Sequence, residues 1–128
     1  MIQLKRVYEK PAPRDGVRIL VERLWPRGLR KAEVHADDWQ KNAGPRDRLR
    51  KKWFSHDPDK WTKFQSEYFE ELDAMPEAWE PILKAAKRGK VTLLYSSHDT
   101  EHNNAVALKR YLEAKLEPAR AAPARQRA

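Results

Sequence analysis

The sequence predicts an α/β fold, a small and mainly parallel sheet flanked by helices in a single domain. Two observations carry that prediction. Val91-Thr92-Leu93-Leu94-Tyr95 is an almost unbroken apolar run, β-branched at its start, the composition of a central strand buried on both faces. A long helical region separates this run from two earlier strand-like segments, which leaves room for crossover helices on a parallel sheet. The chain has 128 residues, enough for one compact domain that buries about two-thirds of its unfolded surface.

Ile2 to Tyr8, with apolar residues at Ile2, Leu4, Val7 and Tyr8, reads as the first strand, and Pro11 to Gly16 as the turn after it. Val17 to Arg23 is the second strand, in which Val17, Ile19 and Val21 alternate with Arg18 and Glu22. Asp47 to Phe54 places Leu49 and Trp53 on one helical face, crowded by Arg46, Arg48, Arg50, Lys51 and Lys52. Asp57-Pro58 reads as an N-cap followed by proline at the first helical position, opening a helix through Leu72. Its Trp61, Phe64, Tyr68 and Leu72 form one apolar stripe, expected in the core. Glu77 to Lys87 predicts a shorter helix, with Pro81 in its first turn and Gly89 as its stop. The last helix is capped by Asp99 or Thr100 and carries Ala105, Leu108, Tyr111, Leu112 and Leu116 at helical spacing. Residues 117–128 mix prolines and arginines with almost no bulky apolar side chain, so residues 1–116 form the domain and 117–128 a disordered basic tail.

Lysine and arginine number 27 against 19 acidic residues, a net charge of +8 that favours anionic partners. The chain has no cysteine, which excludes a thiolate nucleophile, a disulfide framework and a Cys-ligated zinc site. Five tryptophans supply large apolar surfaces to a chain in which 36% of residues are charged. No segment approaches the roughly 20 apolar residues of a membrane span, and no signal-peptide-like run opens the chain, so a cytoplasmic protein without membrane contact is expected.

Chemistry concentrates in three places. Val21-Glu22-Arg23-Leu24-Trp25-Pro26-Arg27-Gly28 carries a strand into a Pro/Gly turn, placing Arg23 and Arg27 at a strand's carboxyl end, where open α/β sheets bind ligands. A structural use of the same residues has Trp25 and Pro26 plugging a core while both arginines form ion pairs. Tyr95-Ser96-Ser97-His98-Asp99-Thr100-Glu101-His102-Asn103-Asn104 leads from the central strand into the last helix, a turn that aims backbone amides above the sheet. With the second and third strands as parallel neighbours, Arg23 and Arg27 face Ser96, Ser97, Asp99 and His102 across one crevice. No Gly-x-Ser-x-Gly elbow surrounds the serines, and His98, Asp99 and His102 lack metal-site spacing, so neither a serine hydrolase nor a metal site is expected. The third place is His56 before the Asp57-Pro58 cap, which serves proton transfer or holds the loop.

Val21 to Gly28, Leu49 to Trp61 and Leu93 to Asn103 together resemble the YeaO-like branch of the domain-of-unknown-function 488 family, over nearly all of residues 2–116. The family pattern has Asp where Glu22 stands, a small residue near Ser97, and His or Gln near Asn104. The resemblance implies a small α/β domain and supplies no activity.

The sequence therefore leads to an anion-binding pocket at the strand carboxyl ends. Arg23, Arg27, Ser96 and Ser97 bind the ligand, and His56, Asp99 and His102 are the candidate catalytic groups of an enzyme on a small phosphorylated or carboxylated substrate. The alternative is a non-catalytic basic module that uses Arg46 to Lys52 and the tail against nucleic acid or an acidic protein. No cofactor is named by these residues, and oligomeric state is left open.

Overall fold

The computed structural model describes residues 1–52 and 58–116. Four strands, β1 (Ile2–Arg6), β2 (Val17–Leu20), β3 (Asp38–Trp39) and β4 (Val91–Tyr95), form one sheet in the order β1-β4-β2-β3, and every pairing is parallel. The apolar run of β4 explains its place: all five residues are buried, with β1 hydrogen-bonded on one side and β2 on the other. Val91 aligns with both Ile2 and Val17, so β2 and β4 reach their carboxyl ends side by side, as expected.

Among the described residues the helices are α1 (Lys31–Val34), α2 (Asp47–Lys52), α3 (Trp61–Ala74), α4 (Glu80–Arg88) and α5 (Asn104–Leu116). The stripe Trp61, Phe64, Tyr68 and Leu72 is buried along α3, and Ala105, Leu108, Tyr111 and Leu112 along α5. Together with Ile82 of α4 they cover the sheet face bearing Ile19, Val91 and Leu93. The opposite face holds a smaller cluster, Val7, Leu20, Val34 and Leu94, with Trp25 and Trp39 packed against it.

That second face also contains buried charge. Asp15 and Arg18 are 4% and 5% exposed, and Arg18 Nη1 lies 2.5 Å from Asp15 Oδ2. Arg18 also donates to the carbonyls of Val34 and His35, which fixes the end of α1, and Lys5 Nζ approaches the same carboxylate at 3.2 Å. Gly16 lets this corner form. Its φ is +66°, and a Cβ there would sit 2.2 Å from the Lys90 carbonyl oxygen.

Several boundaries differ from expectation. β1 and β2 end at Arg6 and Leu20, although Val7 and Val21 still donate to the Tyr95 and Leu94 carbonyls of β4. The Pro58–Lys60 segment is a 3-10 turn, so α3 starts at Trp61. The cap of α5 is Asn103, not Asp99 or Thr100: its Oδ1 accepts the Val106 amide, while Asp99 Oδ1 closes its own turn by accepting the Glu101 and His102 amides. β3 and α1 are too short to leave a periodic signal in sequence. Trp53, His56, Asp57 and residues 117–128 lie outside the described residues.

Candidate functional site

The sheet's carboxyl end opens into a cavity of about 660 Å3. Two segments build most of it. One is the turn after β2, Glu22 to Arg27; the other is the loop after β4, Ser96 to Asp99, with Asn103 and Asn104 at the start of α5. Pro45, Arg50 and Phe64 close the remaining side.

The β2 turn is held by its tryptophans. Trp25 Nε1 donates to the Leu29 carbonyl at 2.6 Å, Trp39 Nε1 donates to the Glu22 carbonyl at 2.6 Å, and the two indoles meet edge to face with centroids 5.2 Å apart. Gly28, at φ +80°, permits the reversal that follows Pro26 and Arg27. Gly44 brings its loop against the turn: a Cβ there would lie 3.0 Å from the Arg23 nitrogen and 3.1 Å from the Val21 carbonyl oxygen. Arg23 seals this approach, donating through Nε to Pro45 at 2.9 Å and through Nη1 to Asn42 Oδ1 at 3.3 Å.

On the β4 side, Arg6 at the end of β1 clamps the loop. Its Nε donates to the Ser97 carbonyl at 2.9 Å and its Nη2 to the Ser96 carbonyl at 3.2 Å. Asn104 Nδ2 then ties α5 to the Val21 carbonyl at 2.8 Å. Asp99 has both carboxylate oxygens engaged, Oδ1 by the Glu101 and His102 amides and Oδ2 by His102 Nδ1 at 3.2 Å. Burial works against its ionised form, but those two amides and the imidazole hold the carboxyl below the usual range. The His102 ring packs edge-on against Trp61 and is not on the cavity wall.

Of the residues singled out in the sequence, Arg23, Arg27, Ser96, Ser97 and Asp99 share this cavity, His102 stands behind Asp99, and His56 lies outside the described residues. Arg23 is structural in its hydrogen bonds, although these go to a carbonyl and an amide and not to a carboxylate. The side chain of Arg27 is exposed and makes no ion pair among the described residues.

Two residues escaped sequence reasoning. Glu22 lines the cavity; burial raises its pKa, and the neighbouring Ser96 hydroxyl and backbone N–H only partly offset that rise. Arg50 reaches the same space from α2, its Nη2 paired with Asp47 at 3.3 Å and its buried Nε without a hydrogen-bond partner among the described residues. Glu22 was visible as the polar residue nearest the strand end. Arg50 was hidden in a run of cations read as one surface face. Among the described residues no group of three His, Asp or Glu side chains could hold a metal ion, and no helix is long and apolar enough to cross a membrane.

A four-stranded parallel sheet flanked by helices, with a cavity beyond its carboxyl ends, defines a small open α/β domain. Within that class the chain belongs to the DUF488 family, since residues 1–127 match the family model described as "Inactive DUF488-N3 subclade". It is similar to the uncharacterized protein YeaO of Escherichia coli (strain K12), 39% identical over 111 residues that cover 87% of this chain and 96% of that protein. It is also similar to the uncharacterized protein Rv3073c of Mycobacterium tuberculosis (strain ATCC 25618 / H37Rv), 34% identical over 111 residues that cover 87% of this chain and 92% of that protein. No solved structure matches it.

Proposed function

We propose that the protein binds a small phosphorylated or carboxylated molecule in this cavity. Arg27 and Arg50 meet its anionic group, Ser96 and Ser97 contribute from the β4 loop, and Arg23 keeps the wall in place. The observation that carries this reading is the state of the arginines: three line one cavity, and the exposed Arg27 makes no ion pair among the described residues. The 13-residue α5 also turns its amino end toward the space, which favours negative charge there.

Binding without turnover is the better supported form. The subclade is described as inactive. Asp99 is occupied in holding its turn, and His102 is packed on Trp61. The enzyme reading, with His56, Asp99 and His102 as proton-transfer groups, requires that the bound molecule be converted and that His102→Gln abolish the conversion. The basic-module reading loses support from α3, whose carboxylates run along α2: Lys52 pairs with Glu67 at 2.7 Å, and Glu71 accepts the Arg46 amide at 2.9 Å.

Thermal shift against a panel of phosphorylated and carboxylated metabolites tests the proposal, with DNA and RNA titrated at two salt concentrations. Arg27→Ala and Arg50→Ala should each weaken the stabilising anion by about 1.5–3 kcal/mol, the scale of a hydrogen bond to a charged group, while Lys51→Ala should change little. If no small anion stabilises the wild type and nucleic acid binds with a salt slope carried by Arg46 to Lys52, the basic module replaces the pocket.

A further inference from the structure

The cavity's charges are segregated. Glu22 shares the lining with Arg23, Arg27 and Arg50, yet among the described residues it forms no ion pair with any of them. Glu22 shares the wall with Ser96 of the β4 loop, whereas Arg23 is held to Pro45 and Asn42, and Arg50 to Asp47 at 3.3 Å. Opposite charges in one cavity ordinarily collapse into a pair; here Arg23 and Arg50 are engaged by other groups and Glu22 stands apart from all three arginines, leaving an acceptor subsite distinct from a donor subsite.

Resting on the anion-pocket reading above, we infer that the ligand is a hydroxylated organic phosphate, with the phosphate at Arg27 and Arg50 and hydroxyl groups donating to Glu22. A carboxylate offers about four acceptor directions, and among the described residues no hydrogen bond of ordinary distance and angle reaches the Glu22 carboxyl. The remaining capacity of a cavity-lining carboxyl calls for a donor from the ligand. An ammonium group would meet three guanidiniums in the same space, so uncharged O–H donors fit better. The volume supports an occupant larger than a lone anion, since about 660 Å3 lies within the usual range of organic ligand sites, roughly 300–1,000 Å3. Trp25, Pro26, Pro45 and Phe64 give that space apolar walls against which a carbon skeleton can lie.

Three probes separate this inference from the reading beneath it: inorganic phosphate, propyl phosphate, which has a carbon body and no hydroxyl, and ribose 5-phosphate. Calorimetric titration of the wild type should give ribose 5-phosphate an affinity about tenfold above that of propyl phosphate, the size of one hydrogen bond to a charged group. Glu22→Gln should reduce that preference to about threefold or less and leave propyl phosphate binding in place. Equal binding of the two organic phosphates, or a preference untouched in E22Q, overturns the inference and leaves the anion pocket standing. Failure of all three probes overturns both. Should E22Q not fold, Glu22→Asp withdraws the acceptor by one methylene and should shrink the preference in the same direction.

Discussion

Two charged clusters on the same strand behave in opposite ways. Around the start of β2, Asp15 and Arg18 are buried in direct contact, Lys5 sits on the same carboxylate, and the remaining Arg18 donors reach the Val34 and His35 carbonyls. Just past the end of β2, Glu22 and three arginines border one cavity, and Glu22 pairs with none of them. The first cluster satisfies its members internally and holds turn, strand and α1 together. The second leaves Arg27 exposed and without an ion pair among the described residues, and departures from internal satisfaction are where functional sites are expected.

The sharpest way to break this contrast is Asp15→Ala. Removing one partner of a buried pair strands the other charge, so unfolding by urea at neutral pH should show a loss of about 3–5 kcal/mol. A loss under about 1 kcal/mol would place the pair among ordinary surface bridges. Tyr68→Phe should come next. The buried Tyr68 hydroxyl donates to the Ala43 carbonyl, and burial pushes its pKa far up, so deletion should cost about 1–3 kcal/mol and loosen the loop that carries Pro45 against Arg23.

A smaller, signed effect distinguishes the two carboxylates by pH. Burial opposes ionisation of Asp15, but the Ala12 amide, Lys5 and Arg18 hold its folded pKa below the ordinary 3.8. Its contribution is therefore present above pH 3.8 and is lost as pH falls through the lowered folded value. Glu22 is raised by burial above the ordinary 4.5, so its contribution is present below pH 4.5 and is lost as pH rises through the folded value. Denaturation followed across this range should show the falling limb above pH 4.5 in the wild type and not in Glu22→Gln. The smallest stability effect belongs to Arg27→Ala, within about 0.5 kcal/mol of wild type by thermal melting, because an exposed side chain with no ion pair among the described residues holds little in the fold. A larger loss would move Arg27 into the structural class with Arg18.

Much of the frame was readable from local pattern. Val91 to Tyr95 announced a central strand, the four-residue spacing within Trp61 to Leu72 announced a buried helix face, and Arg23 and Arg27 pointed to the strand end where the cavity lies. The cap of α5 was misread because Asp99 has the right chemistry one turn early. Asn103 is the residue whose side chain meets the Val106 amide, and which of two competent caps is used depends on where the loop is anchored. Arg6 supplies part of that anchor through the Ser96 and Ser97 carbonyls, some 90 residues along the chain, and no local spacing records such a contact.

The sequence by itself determined the class of fold and which strand is central, because burial imprints apolar periodicity on each element whatever its neighbours are. It also determined the excess of positive charge and the presence of two arginines at a strand's end. Only the tertiary structure decided which charges are paired. Arg18 finds Asp15 three residues away, whereas Arg50 lines the cavity from α2, Asn104 reaches the Val21 carbonyl across 83 residues, and Glu22 forms no ion pair with the cations that share its cavity. Pairing depends on distances of a few ångströms between elements remote in sequence, and packing of the helices on the sheet sets those distances.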